Sequence, residues 1–154
     1  MLPEFIHLLL SLLVGYFVYR LYKRKEAFIS AILGGFLIDI DHLFDYFFFY
    51  KKSLSFSLQE FLSGHYFKIL GQVHVFFHSY ELVVVFLIAY LIVMKHAKTK
   101  DKQLLATIFL ALSLAMLLHI SFDILHNHIN WQAFSLINRI HTHFDIRAFG
   151  RAPS

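Results

Sequence analysis

The segment AFISAILGGFLIDIDHLFDYFFFY, from Ala27 to Tyr50, decides the class of this chain. It is long and apolar enough to cross a hydrocarbon core, which takes about 20 helical residues. Yet it carries Asp39, Asp41, His42 and Asp45. Burying one ionisable side chain at the centre of a bilayer costs roughly 2.5–3.5 kcal/mol or more, so a span holding several of them marks a functional site. Three other stretches have the same apolar character: Glu4 to Tyr22, Gly71 to Met94, and Leu104 to His126. Together they predict an all-α membrane protein, a bundle of four transmembrane helices over residues 1–128.

The composition agrees. Of 154 residues, 58% are hydrophobic and only 16% charged, against about 45–50% and about 25% in a soluble domain. Disorder is excluded, because disordered chains are polar and charge-rich. The absence of cysteine excludes a disulfide scaffold and a cysteine-type zinc finger. The net charge of +4 does not indicate nucleic acid, because the basic residues sit in short clusters between apolar runs. Arg20, Lys23, Arg24 and Lys25 flank the first turn, and Lys95, Lys98, Lys100 and Lys102 flank the third. The positive-inside rule places both turns in the cytoplasm, and both termini and the second connection outside it. The N-terminus lacks the positive region of a cleavable signal, so the first apolar stretch is expected to remain as a helix.

The connection from Lys51 to Leu70 has room for a short interfacial helix. After His128, Trp131, Phe134, Ile137 and Ile140 recur at helical spacing among polar residues. That pattern predicts an interfacial amphipathic helix within residues 129–154, ending in a polar tail from Gly150 to Ser154.

Histidine is the unusual component, with 11 residues. His7 lies in the first stretch, His74, His78 and Glu81 in the third, and His119, Asp123, His126 and His128 in or after the fourth. On helices, His74 and His78 share a face, as do His119 and Asp123, and Asp39 and His42. In a regular helix Asp41 points away from Asp39 but shares a face with Asp45. Asp39 and Asp41 then meet at one centre only if the backbone is irregular, or else there are two centres. Gly34-Gly35 just upstream permits close helix packing or such irregularity. Counted from the cytoplasmic helix ends at about 1.5 Å per residue, His7, Asp41, His78 and His119 all lie roughly 21–24 Å up. The four helices thus bring their polar residues to one level, near the outer leaflet.

Imidazole and carboxylate together suit zinc, or manganese or iron if carboxylates dominate. Such an ion would lower the pKa of a bound water to about 7. His7, Asp39, Asp41, His42, His78, His119 and Asp123 are the candidate metal ligands, with His74 and Glu81 as acid/base or supporting groups. His126 and His128 fall at the mouth of the cluster. His65, His96, His141 and His143 read as solvated or interfacial, and the lysine turns as topology signals.

These residues resemble a known pattern. His7 to Gly15, Asp39-Ile40-Asp41-His42, His74 with His78-Ser79, and His119 to Asp123 are similar, in that order, to the motifs of bacterial inner-membrane metal-dependent hydrolases. That family is described as LexA-binding inner-membrane-associated hydrolases. More distantly, the pattern is similar to zinc-dependent phospholipase C and related zinc nucleases. The resemblance implies a multi-pass protein of the bacterial inner membrane with a metal site and hydrolase activity. Two departures stand out. Ile38 occupies a position where the family often has Pro, and no Arg lies between His74 and His78. An Arg there would be the natural phosphate clamp.

The leading expectation is a metal-dependent hydrolase acting from the extracytoplasmic side on an ester or phosphoester, including a lipid-linked one. The membrane lipid is then its immediate partner. The alternative is a divalent-metal or proton transporter, or a metal-binding membrane protein without hydrolase activity. A haem-binding four-helix bundle is a further reading, but it leaves the aspartates unexplained.

Overall fold

Lys23, at a left-handed φ of 56°, ends helix α1 (Leu2–Tyr22) and turns the chain into α2 (Glu26–Gly35). A computed structural model describes residues 2–51, 56–62 and 65–149. Among them the regular structure is helical apart from one antiparallel bridge, Gln72 to Asp145. After α2 come a 3-10 turn (Leu37–Ile40), the short helix α3 (Asp41–Phe44), a π-helical stretch (Asp45–Lys51), and α4 (Leu58–Leu62) and α5 (His65–Leu70). Helices α6 (Tyr80–Lys95) and α7 (Lys100–Asn127) follow. The last described part holds two 3-10 turns (Trp131–Phe134 and Ile146–Phe149) flanking α8 (Leu136–His141).

Small residues bring α1, α2 and α7 together. Val14, Val18, Ala27, Ala31, Ala111 and Ala115 form their shared core. A Cβ on Gly34 would meet the Leu112 carbonyl oxygen of α7 at 2.8 Å. Between helices in lipid there is little hydrophobic drive, so such close backbone packing carries much of the association. Helix α6 packs on another side of α7, where Ser113 Oγ donates to the Val83 carbonyl at 3.1 Å. A second core of Ile38, Val83, Met116, Ile120 and Phe134 lies there.

Helices α1 and α7 are each long and apolar enough to cross a membrane. The pair formed by α2 and the stretch from Leu37 to Tyr50 passes the same test if its bend is counted within one span. Outward faces are apolar, with Phe5, Leu9, Leu13 and Phe17 exposed on α1, and Ile88, Leu91 and Ile92 on α6. Exposed apolar area this extensive fits a lipid-facing protein.

The structure departs from the expected elements in three places. The helix expected over 27–50 bends by 48° after Gly35 and continues through 3-10, α and π geometry. The helix expected over 71–94 begins only at Tyr80, capped by Ser79. Residues 71–79 form a non-helical strap instead, with Gly71 at φ 68°. The amphipathic helix expected after His128 is interrupted at Ser135, with Phe134 and Arg139 buried and Trp131, Ile137 and Ile140 exposed. The interfacial helix expected between Lys51 and Leu70 corresponds to the two short helices α4 and α5. The tail Gly150–Ser154 and the side chain of His65 lie outside the described residues.

The strap explains all three departures. Its backbone lacks helical partners, so other groups must satisfy it. Asp41 and Asp45 of the irregular stretch accept from the Phe77 and His74 N–H groups, each at 2.7 Å. The Val73 N–H donates to Phe144 O, and the Ile146 N–H to Gly71 O. Arg139 donates to the carbonyls of Val75 and His78. The C-terminal segment is therefore built into the fold, in place of the free interfacial helix that its apolar spacing predicts.

Candidate metal centre

The bend after Gly35 sets the first ligand geometry. It frees the Gly35 carbonyl, which receives the His119 Nδ1–H at 2.8 Å. A carbonyl oxygen can only accept, so neutral His119 carries its proton on Nδ1 and presents a bare lone pair at Nε2. His78 is set in the same way. Its Nδ1 is hydrogen-bonded to Asp41 Oδ2 at 3.3 Å, with Oδ1 3.0 Å away, and the carboxylate holds the proton there. Its Nε2 lone pair then faces His119 Nε2 at 3.1 Å.

Asp39 Oδ1 completes a triangle with these two nitrogens, at 3.1 Å from His78 Nε2 and 3.5 Å from His119 Nε2. Three acceptors thus converge with no donor among them when both imidazoles are neutral. A four-coordinate zinc with bonds of about 2.0–2.1 Å needs ligand atoms about 3.3–3.4 Å apart. The three separations bracket that value. The residues present therefore fit a divalent metal ion.

The ring extends on both sides. Asp123 Oδ2 lies 3.2 Å from His119 Nε2, and its Oδ1 lies 3.2 Å from His7 Nε2. The His7 ring stacks on His119 at 3.8 Å between centroids. His42 Nε2 reaches Asp39 Oδ1 at 3.7 Å. His7, His119 and Asp123 form one group able to hold an ion, and Asp39, His42 and His78 another. Most of the cluster is buried, but the Asp39 side chain is 37% exposed, so the ring is open on the side of Asp39 and His42.

All seven sequence-derived ligand candidates meet here, with Asp41 standing behind His78. Asp39 and Asp41 both serve one cluster because the backbone between them is 3-10 rather than α. His74 and His78 do not share a helix face, since both lie on the strap. His74 pairs with Asp45 instead, Nδ1 to Oδ1 at 2.9 Å, and stacks on Phe49 at 3.8 Å between centroids. Glu81 is placed elsewhere. It accepts from Ser135 Oγ at 2.7 Å and from the Leu136 and Ile137 N–H groups, so it caps α8. Because the helix starts at Tyr80, nine residues later than expected, Glu81 in its first turn faces away from the cluster. His126 is exposed and stacks on Phe122, and His96, His128, His141 and His143 are exposed too.

No protein-family model, curated protein or solved structure matches this chain.

Arg139 is the residue that the sequence concealed. It reads as one polar position in an amphipathic helix, yet it is buried behind His78. Burial pushes its guanidinium down to about 10. Its guanidinium lies against the strap between Val75 and His78. Both its terminal nitrogens are committed to backbone carbonyls, so it does not stand ready to clamp a phosphate.

Proposed function

We propose that this chain is a multi-pass membrane protein carrying a divalent-metal centre, most simply zinc, and that it acts as a metal-dependent hydrolase. One observation carries the reading: two imidazoles, each held by a partner on Nδ1, point their Nε2 atoms at one another across 3.1 Å beside Asp39. Neutral imidazoles in that arrangement repel unless a cation lies between them. Asp39, His78 and His119 would be the inner ligands, with Asp123, His7 and His42 extending the site.

A bound ion would supply Lewis-acid polarisation of a carbonyl or phosphoryl oxygen. The chain's own residues supply the rest. Asp41 and the Gly35 carbonyl fix the tautomers of His78 and His119. Asp39 and His42, the partly exposed members of the cluster, mark the side from which a substrate would enter. His74, oriented by Asp45, is the acid/base candidate, whereas Glu81 serves α8.

In this reading α1, the bent α2 pair, the strap with α6, and α7 form four crossings. Helix α6 alone, with 16 residues, rises about 24 Å and falls short of a hydrocarbon core about 30 Å thick. The strap supplies the remaining rise. Lysine-rich turns put both termini outside the cytoplasm. The resemblance to inner-membrane metal-dependent hydrolases supports a bacterial inner-membrane location and an ester or phosphoester substrate, reached from the lipid or the extracytoplasmic surface.

The test starts with elemental analysis of metal-replete, detergent-purified protein. Wild type should hold one or two equivalents of metal, lost in His78→Ala and Asp123→Ala. A screen of ester, phosphomonoester, phosphodiester and phospholipid substrates follows, with Asp39→Ala as the inactive control. Folded wild type without metal refutes the centre. A metal-loaded protein that hydrolyses nothing Asp39→Ala leaves untouched refutes the hydrolase.

A further inference from the structure

The strap that delivers His78 is gripped on both its polar edges. Asp41 and Asp45 take N–H groups, and Arg139 takes carbonyls. Arg139 is 1% exposed and comes from α8, far away in sequence. Nη1 donates to Val75 O, and Nη2 donates to His78 O at 2.8 Å. No carboxylate of the described residues is in ion-pair contact with it, and Nε has no partner. A buried arginine without a paired anion is costly, so its retention here calls for a reason. Its planar fork fixes two acceptors at a set separation, which a flexible ammonium or a single amide does not. Those two acceptors bracket the turn of strap that ends at a metal-ligand candidate.

We propose that Arg139 is the positioning residue of the metal centre. By fixing the carbonyls of Val75 and His78 it holds the His78 imidazole between Asp41 and the ligand ring, and so sets the affinity for a divalent ion. The proposal rests on the metal-centre reading but not on hydrolysis. It also gives the C-terminal segment a direct part in the site.

The test is a Co²⁺ titration of the full-length protein in detergent, read by cobalt absorption and paired with circular dichroism. Loss of a group that orients a ligand typically costs 10–100-fold in metal affinity. Arg139→Gln should therefore weaken Co²⁺ binding about 10–100-fold and alter the cobalt spectrum, at unchanged helicity. Arg139→Lys should recover part of the affinity. Glu81→Gln loosens the same C-terminal segment through other atoms and should bind Co²⁺ as wild type does. Wild-type affinity and spectrum in Arg139→Gln overturn the proposal. So does an equal loss in Glu81→Gln, which would reduce the effect to segment docking. If Arg139→Gln does not fold, Arg139→Lys should still bind several-fold more weakly than Glu81→Gln, and equality overturns the proposal. Wild type that binds no Co²⁺ overturns the metal centre along with it, whereas a normal wild type beside an unaffected Arg139→Gln overturns the positioning role alone.

Discussion

Asp41→Asn separates the orientation of a ligand from the folding of the strap. Asp41 Oδ2 accepts both the Phe77 N–H at 2.7 Å and the His78 Nδ1–H at 3.3 Å, and Oδ1 lies 3.0 Å from the same Nδ1. An asparagine keeps one oxygen and replaces the other with NH₂. With the oxygen kept at the Oδ2 position for Phe77, the amide takes the Oδ1 position, nearest to His78 Nδ1, where its N–H groups oppose a proton on Nδ1 and favour the Nε2 tautomer. The lone pair then leaves the ligand triangle. A hydrogen bond to a charged group contributes about 1.5–3 kcal/mol. Supporting residues of metal ligands carry a 10–100-fold effect, which converts to about 1.4–2.7 kcal/mol. Both routes predict a loss of one to two orders of magnitude in metal affinity. Competition with a chromogenic chelator measures it. Asp45→Asn is the matched control, because Asp45 makes the same two kinds of bond, to the His74 N–H at 2.7 Å and to His74 Nδ1 at 2.9 Å. It should destabilise the strap to a similar extent and leave metal affinity near wild type. Equal loss of affinity in the two variants would refute the tautomer argument and leave strap order as the cause.

Metal binding should weaken as pH falls through about 6.5, the ordinary imidazole value, since protons compete for the same nitrogens. Metal affinity measured by chelator competition at pH 5 and pH 8 checks the sign, and equal affinity at the two would contradict imidazole ligation. Gly35→Ala should cost about 1–3 kcal/mol by overpacking, because the added Cβ would meet Ser11 Oγ at 2.5 Å and Ala115 Cβ at 3.0 Å. Thermal unfolding in detergent measures it, and metal affinity should fall too, since the Gly35 carbonyl orients His119. His119→Ala should abolish binding, while His126→Ala, exposed and outside the ring, should retain wild-type metal content in elemental analysis.

The apolar runs made the helical, membrane-type character of the chain legible, and counting depth along each run grouped the ligand candidates. What the runs concealed was backbone geometry. Residues 71–94 are mostly apolar, and hydropathy does not distinguish a strap from a helix. The information that breaks the helix lies elsewhere, in Asp41, Asp45 and Arg139, which offer the strap the partners that a helix would have supplied internally. Arg139 was illegible for the same reason, since its acceptors are carbonyls, which every residue has. Glu81 faces away from the cluster because the nine residues before Tyr80 are not helical, so the helix that carries it starts about two and a half turns late and in a different orientation.

The same physics accounts for Asp41 and Asp45, which stand behind the ligand triangle. Hydrocarbon tolerates non-helical backbone only where protein groups satisfy it. A strap placed within a membrane would therefore need anionic acceptors for its N–H groups and a multiple donor for its carbonyls. Asp41 meets both needs at once, accepting from the Phe77 N–H while fixing the tautomer of His78. Asp45 repeats the device one turn later for His74. The irregular backbone and the oriented imidazoles thus have one cause. A helix across residues 71–79 would keep its N–H groups to itself and leave Asp41 and Asp45 buried without those donors, and His78 would lose the contact that turns its Nε2 toward His119.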